Sequence, residues 1–95
     1  MVPVFASAGA NVAHIETATY EDGFLIGEVD FQGGPFWARC TFFLTGGRYL
    51  LVSIPIYADG TFEMYFDGPV EAIAIQIKDT RNLIPGGTVY DTLML

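Results

Sequence analysis

The sequence predicts an all-β fold, a small antiparallel β-sandwich. Three observations carry that expectation. Turn signals stand at Asp22-Gly23, Gly33-Gly34-Pro35, Gly46-Gly47, Asp59-Gly60, Gly68-Pro69 and Pro85-Gly86-Gly87, most of them roughly ten residues apart. Between them, apolar residues recur with the period of two that a half-buried strand requires. No segment sustains the i, i+3, i+4, i+7 apolar spacing of a helix.

The strands follow in order. The first is expected at 12–20, with Ile15, Thr17 and Thr19 on its inner side. Asp22-Gly23 ends it, because both residue types tolerate the positive φ of a tight hairpin. The second, 24–31, turns Leu25, Val29 and Phe31 inward. The third, 36–45, buries Phe36, Ala38, Cys40, Phe42 and Leu44, and the fourth, 48–57, buries Leu50, Val52, Ile54 and Ile56. Pro55 has no N–H to give a ladder, so the fourth strand is expected at an edge or at a bulge. The fifth, 61–67, contributes Phe62, Met64 and Phe66, and the sixth, 70–78, Ile73, Ile75 and Ile77. A seventh at 88–95 completes an edge, and a short strand at 2–6 is open to the N-terminal arm.

The chain also repeats a phrase. Tyr20-Glu21-Asp22-Gly23-Phe24 is followed by Glu28, Phe31, Gly34-Pro35 and Ala38, and Tyr57-Ala58-Asp59-Gly60-Thr61-Phe62 by Glu63, Phe66, Gly68-Pro69 and Ala72. Such self-similarity names a building unit. Here it suggests two three-stranded meanders packed face to face, plus the C-terminal strand. Immunoglobulin domains carry a Cys…Trp…Cys spacing and a tyrosine corner. This chain has one Cys and one Trp, three residues apart, so the sandwich is immunoglobulin-like in the loose sense only. The stretch Asp59-Gly60-Thr61-Phe62 with its neighbours resembles transthyretin-like sandwich repeats over about a dozen residues of ordinary hairpin chemistry, and no residue role is carried over from that likeness.

Residues 1–95 make one domain. Hydrophobic residues form 52% of the chain and charged ones 16%, against about 25% charged in an average soluble domain. A short chain has a small core, so the apolar surplus is expected at a contact surface. The longest run without a formal charge, Met1 to Ile15, is shorter than the ~20 apolar residues of a spanning helix. It lacks the basic start of a signal peptide. No compartment follows from this. Eleven acids against four bases give a net charge of −7, which repels nucleic-acid phosphates.

Catalytic and metal chemistry find little to use. His14 is the only histidine and points opposite the expected core, whereas Cys40 points inward. The pair therefore makes neither a zinc site nor a nucleophile with its base. Ser7 and Ser53 are the only serines, and neither stands in a Gly-x-Ser-x-Gly context. Glu28 and Asp30 share an outward face, the spacing a glycosidase pair or a Ca²⁺ site could use, but solvated surface acids account for them more simply. No phosphate-binding glycine loop appears. The expectation is a non-enzymatic chain with no catalytic residue, cofactor or metal.

Apolar residues on the outward parity stand out instead. They are Phe24, Ile26, Trp37 and Phe43 in the first copy of the phrase, with Arg39 beside them, and Tyr49, Leu51, Tyr57 and Tyr65 in the second. Aromatics and aliphatics near an Arg have the composition of an interface core. If neighbouring strands carry them, they form a continuous patch. The expected function is a structural or interaction module that forms homo-oligomers or decorates a larger assembly. Compact β domains serve virus particles as decoration, fibre or baseplate pieces, an analogy of fold alone. Two alternatives use the same residues. The rings of Trp37, Tyr49, Tyr57 and Tyr65 could cover sugar faces in a glycan-binding domain. The acidic surface could dock on a basic groove as a protein inhibitor.

Overall fold

The computed structural model describes residues 11–82 and 86–95. The expected strand at 2–6 and Ser7 lie outside them. Seven strands form: β1 (Val12–Glu21), β2 (Phe24–Gln32), β3 (Trp37–Leu44), β4 (Tyr49–Pro55), β5 (Thr61–Tyr65), β6 (Val70–Lys78) and β7 (Val89–Met94). Each of the seven expected strands from 12 onward is present, with ends displaced by at most two residues.

The strands make two antiparallel sheets, ordered β1-β2-β5 and β4-β3-β6-β7. The sandwich is as expected, but the two meanders are not. β3 leaves its predecessor for the other sheet, where it pairs with β4 and β6, and β5 crosses back to pair with β2. The reason lies in the links. After β2 the chain runs through Gly33 (φ 85°), Gly34 (φ 106°) and Pro35, and proline offers no donor to continue a ladder. That connector passes over the end of the core, with Phe36 tucked beneath at 2% exposure. Constant-type immunoglobulin sandwiches place the fourth strand with the first, second and fifth. Here it flanks β3, which keeps the likeness loose.

The two Asp-Gly turns therefore do different jobs. Asp22 (φ 52°) and Gly23 (φ 85°) close a two-residue hairpin between paired strands, the positive-φ turn that matches strand twist. Asp59-Gly60 instead lies on the link that carries the chain between sheets. Gly60 has φ 88°, its carbonyl accepts the Val29 N–H at 2.8 Å, and a Cβ there would stand 2.4 Å from the Val29 oxygen. The repeated phrase is not a repeated structural unit.

The core is close to the expected one. Ile15, Leu25, Val29, Phe36, Ala38, Cys40, Phe42, Ile54, Phe62, Ile73, Ile75 and Ile77 are buried, and Phe31, Leu44, Leu50, Val52, Ile56, Met64 and Phe66 pack against them half-buried. Thr17 and Thr19 are a correction: both are exposed. The register of β1 on β2 slips between Ile15 and Thr17, so Glu16 is the extra residue of a bulge. One extra residue inverts every side chain beyond it. Ala18 and Tyr20 thus face inward, and the Tyr20 hydroxyl donates to the Phe66 carbonyl at 2.5 Å. Pro55 closes β4, which is an edge strand as its missing donor requires.

One side of the sandwich is closed by a side chain. Asp91 of β7 reaches across to β1, where its Oδ2 accepts the Ile15 N–H at 2.7 Å and lies 3.1 Å from His14 Nδ1. The Ile15 amide, then the Thr92 amide and His14, hold the Asp91 carboxyl below its usual range against a partial desolvation that raises it. A carboxyl with a depressed folded pKa stabilises the fold above its unfolded value, about 3.9, and that contribution is lost as pH falls through the lower folded value. Asp91→Asn is expected to cost about 1–2 kcal/mol at pH 7. In urea titrations the difference from wild type should shrink from about pH 4 downward. An unchanged difference at acid pH would show that the carboxylate charge is not what matters.

Candidate functional site on the outer sheet faces

With the core filled, the outward residues of each sheet are what the fold presents. On the three-stranded sheet they form cross-strand rows. Glu21, Phe24 and Tyr65 make the row nearest the hairpin, then Thr19, Ile26 and Glu63, then Thr17, Glu28 and Thr61, and last His14 with Asp30. Phe24 and Tyr65 pack at a tilt of 58° with ring centroids 4.8 Å apart. Tyr65 lies over Gly23, where a Cβ would meet its ring at 2.6 Å. Phe24, Ile26 and Tyr65 remain 49%, 46% and 55% exposed. This face is apolar at the hairpin end and acidic beyond it.

The outward rows of the four-stranded sheet carry no acid. Trp37 has Pro55 and Lys78 as cross-strand neighbours, Arg39 has Ser53 and Gln76, Thr41 has Leu51 and Ala74, and Phe43 has Tyr49 and Ala72. Tyr49 is the most exposed of these aromatics at 64%, and Phe43 is also exposed. Trp37, Arg39 and Leu51 are half-buried, and Lys78 is buried at 3% exposure. Arg39 makes no ion pair with an acid among the described residues.

The structure thus brings the predicted residues to the surface but not together. Phe24, Ile26 and Tyr65 lie on one outer face, and Trp37, Arg39, Phe43, Tyr49 and Leu51 on the opposite one. The continuous patch is corrected to two, because β3 changed sheets. Tyr57 belongs to neither. It sits in the link before β5, where its N–H donates to the Thr61 carbonyl at 2.9 Å and its carbonyl accepts from Gly60. Two surface features went unforeseen. Met94, 62% exposed, stands outward beside Ala74, a position the alternation with inward Leu93 would have revealed. The burial of Lys78 had no signal in the sequence.

The residues weighed for chemistry are dispersed. Cys40 is fully buried in the four-stranded sheet, and burial pushes its thiol up to about 12. His14 is on the other sheet, bound to Asp91. The Ser53 Oγ has no contact with solvent and no hydrogen-bond partner among the described residues. No group of three or more His, Cys, Asp or Glu stands together among the described residues. Two shallow concavities of about 300 and 270 Å³ open elsewhere, one beside His14 and Asp30 and one beside Tyr20 and Leu95. With so high a pKa and no access, Cys40 should resist a thiol reagent at pH 8 in the folded protein and react fully in denaturant. Rapid labelling of the native protein would contradict its burial.

No helix among the described residues is long and apolar enough to cross a membrane. No family model, curated protein or solved structure matches the chain.

Proposed function

We propose that this chain is a non-enzymatic interaction module that packs its outer sheet faces against protein, either further copies of itself or the surface of a larger assembly such as a virus particle. The observation that carries this reading is the exposure of large apolar side chains on strands of both faces: Phe24, Ile26 and Tyr65 on one, Phe43, Tyr49 and Met94 on the other. Scattered exposed hydrophobics are ordinary. Rows of them in cross-strand register on a flat sheet offer the aromatic and aliphatic contact area from which interfaces are built.

The glycan alternative is less well served. Its four rings divide among two opposite faces and a link, so no one sugar chain meets more than a part of them. The acidic-inhibitor alternative gains from one observation, the gathering of Glu28, Asp30 and Glu63 on a single face, and it survives as the idea that this face seeks a cationic surface. Sedimentation equilibrium across a wide concentration range tests the self-association branch. Wild type should show mass rising with concentration, and Phe43→Ser with Tyr49→Ser should reduce it while leaving the circular dichroism spectrum intact. A wild type that stays monomeric throughout removes self-association.

A further inference from the structure

Charge is sorted between the two faces. Glu16, Glu21, Asp22, Glu28, Asp30 and Glu63 all belong to the three-stranded sheet and its hairpin, which carries no Lys or Arg. Arg39, Arg48, Lys78 and Arg81, the only strong bases of the chain, all belong to the four-stranded sheet and its links, and although Glu71, Asp79 and Asp91 lie there too, the outward cross-strand rows of that sheet hold Arg39 and no acid. A net charge of −7 hides this polarity.

We infer that the outer face of the three-stranded sheet docks on the outer face of the four-stranded sheet of a second copy, so that copies stack head to tail. The inference rests on the self-association reading and specifies its surfaces. Spacing supports it as well as sign. From Phe24 to Glu28 is four residues along β2, and from Phe43 to Arg39 is four residues along β3, about 13 Å in each case. When the Phe24–Tyr65 row covers the Phe43–Tyr49 row, Ile26 comes over Thr41 and Leu51, and Glu28 comes over Arg39. The following row brings His14 and Asp30 to Trp37.

A symmetric pairing of two three-stranded faces uses less of the surface. Two acidic faces meeting in parallel oppose Glu28 to Glu28, and meeting antiparallel they overlap only at their apolar ends. The head-to-tail contact is a sheet-on-sheet packing like the one inside the sandwich, with sheets about 10 Å apart. It is heterologous, so each copy keeps one face free and the stack continues until something ends it. Three strands ~4.8 Å apart and ~27 Å long present about 400 Å² of flat area. That is about half the area per partner of a standard specific interface, so the contact is weak and the experiment must reach about millimolar concentration.

The test mixes two disabled chains. Phe24→Ser with Ile26→Ser removes one face, and Phe43→Ser with Tyr49→Ser removes the other. In sedimentation equilibrium each variant alone should be monomeric, wild type should pass beyond the dimer, and the equimolar mixture should give a dimer and nothing larger. A variant that still dimerises alone, or a mixture that stays monomeric while wild type associates, overturns the head-to-tail contact and leaves self-association standing. A monomeric wild type overturns both. Charge reversal gives a second readout that leaves the apolar contacts in place. Glu28→Arg and Arg39→Glu should each weaken association about tenfold, and the two together in one chain should restore it. Weakening that merely accumulates in the doubly reversed chain would show that the two residues do not meet.

Discussion

Phe42→Ala is expected to lower the unfolding free energy by about 3–5 kcal/mol. Phe42 is fully buried at the centre of the larger sheet, between Leu50 and Ile73 of the neighbouring strands. Its ring meets Tyr20 edge-on at 6.1 Å and Phe66 at 5.5 Å, which ties the two sheets together. Truncation leaves a cavity that flanking strands, held by their ladders, cannot close. A domain of this length has about twice that stability or less, so the melting temperature should fall by roughly 15–30 °C. Phe43→Ala is the internal control. One residue along, its ring points out at 38% exposure, and its removal should cost under about 1 kcal/mol. Equal losses from both would mean that the inward and outward assignments of β3 are wrong.

Gly27→Ala should destabilise by about 2–3 kcal/mol although it adds a single methyl group. Gly27 pairs with Phe62 across β2 and β5, and the tip of the Phe62 ring fills the space where a side chain would begin. A Cβ at Gly27 would stand 2.2 Å from the ring's Cζ and 2.3 Å from Cε2. Phe62 is fully buried and has no open side into which to swing. The two positions should therefore be coupled. Phe62→Leu alone opens a gap, but combined with Gly27→Ala it should recover about 1 kcal/mol or more relative to the sum of the single changes. Strict additivity in urea unfolding would argue against the contact.

The alternation of apolar residues made most of this architecture legible. Leu25, Phe42, Phe62 and Ile75 needed only a strand and a period of two to be assigned to the core, and all are fully buried. Two kinds of information were missing. Parity says which side of a strand is inward and nothing about which sheet holds the strand, since both inner faces look alike. Phe24 and Trp37 thus share the same outward parity and yet occupy opposite faces. Parity also fails where a residue is inserted. The alternation of Ile15, Thr17 and Thr19 is unbroken in the sequence, and nothing in it announces that Glu16 is extruded and that Tyr20 turns inward to donate to Phe66. The candidate faces were legible residue by residue, but their charge polarity appeared only once the partners of each strand were known.

The Asp91 bridge to the Ile15 amide has a consequence for how copies can grow. That amide is one of the backbone donors an incoming strand would use on the edge strand of the smaller sheet, and a carboxylate already occupies it. The bridge also leaves β7 with an acid turned toward the interior, a known deterrent to edge pairing. On the remaining margins, β4 ends in a proline and β5 is only five residues long. Backbone addition is thus discouraged on every margin, while Phe24, Ile26, Tyr65, Phe43 and Tyr49 remain exposed on the faces. An array of these domains would add sheets in the stacking direction, at about 10 Å, without lengthening any hydrogen-bonded ladder at 4.8 Å. Concentrated solutions should therefore redissolve on dilution, and they should leave amyloid dyes dark.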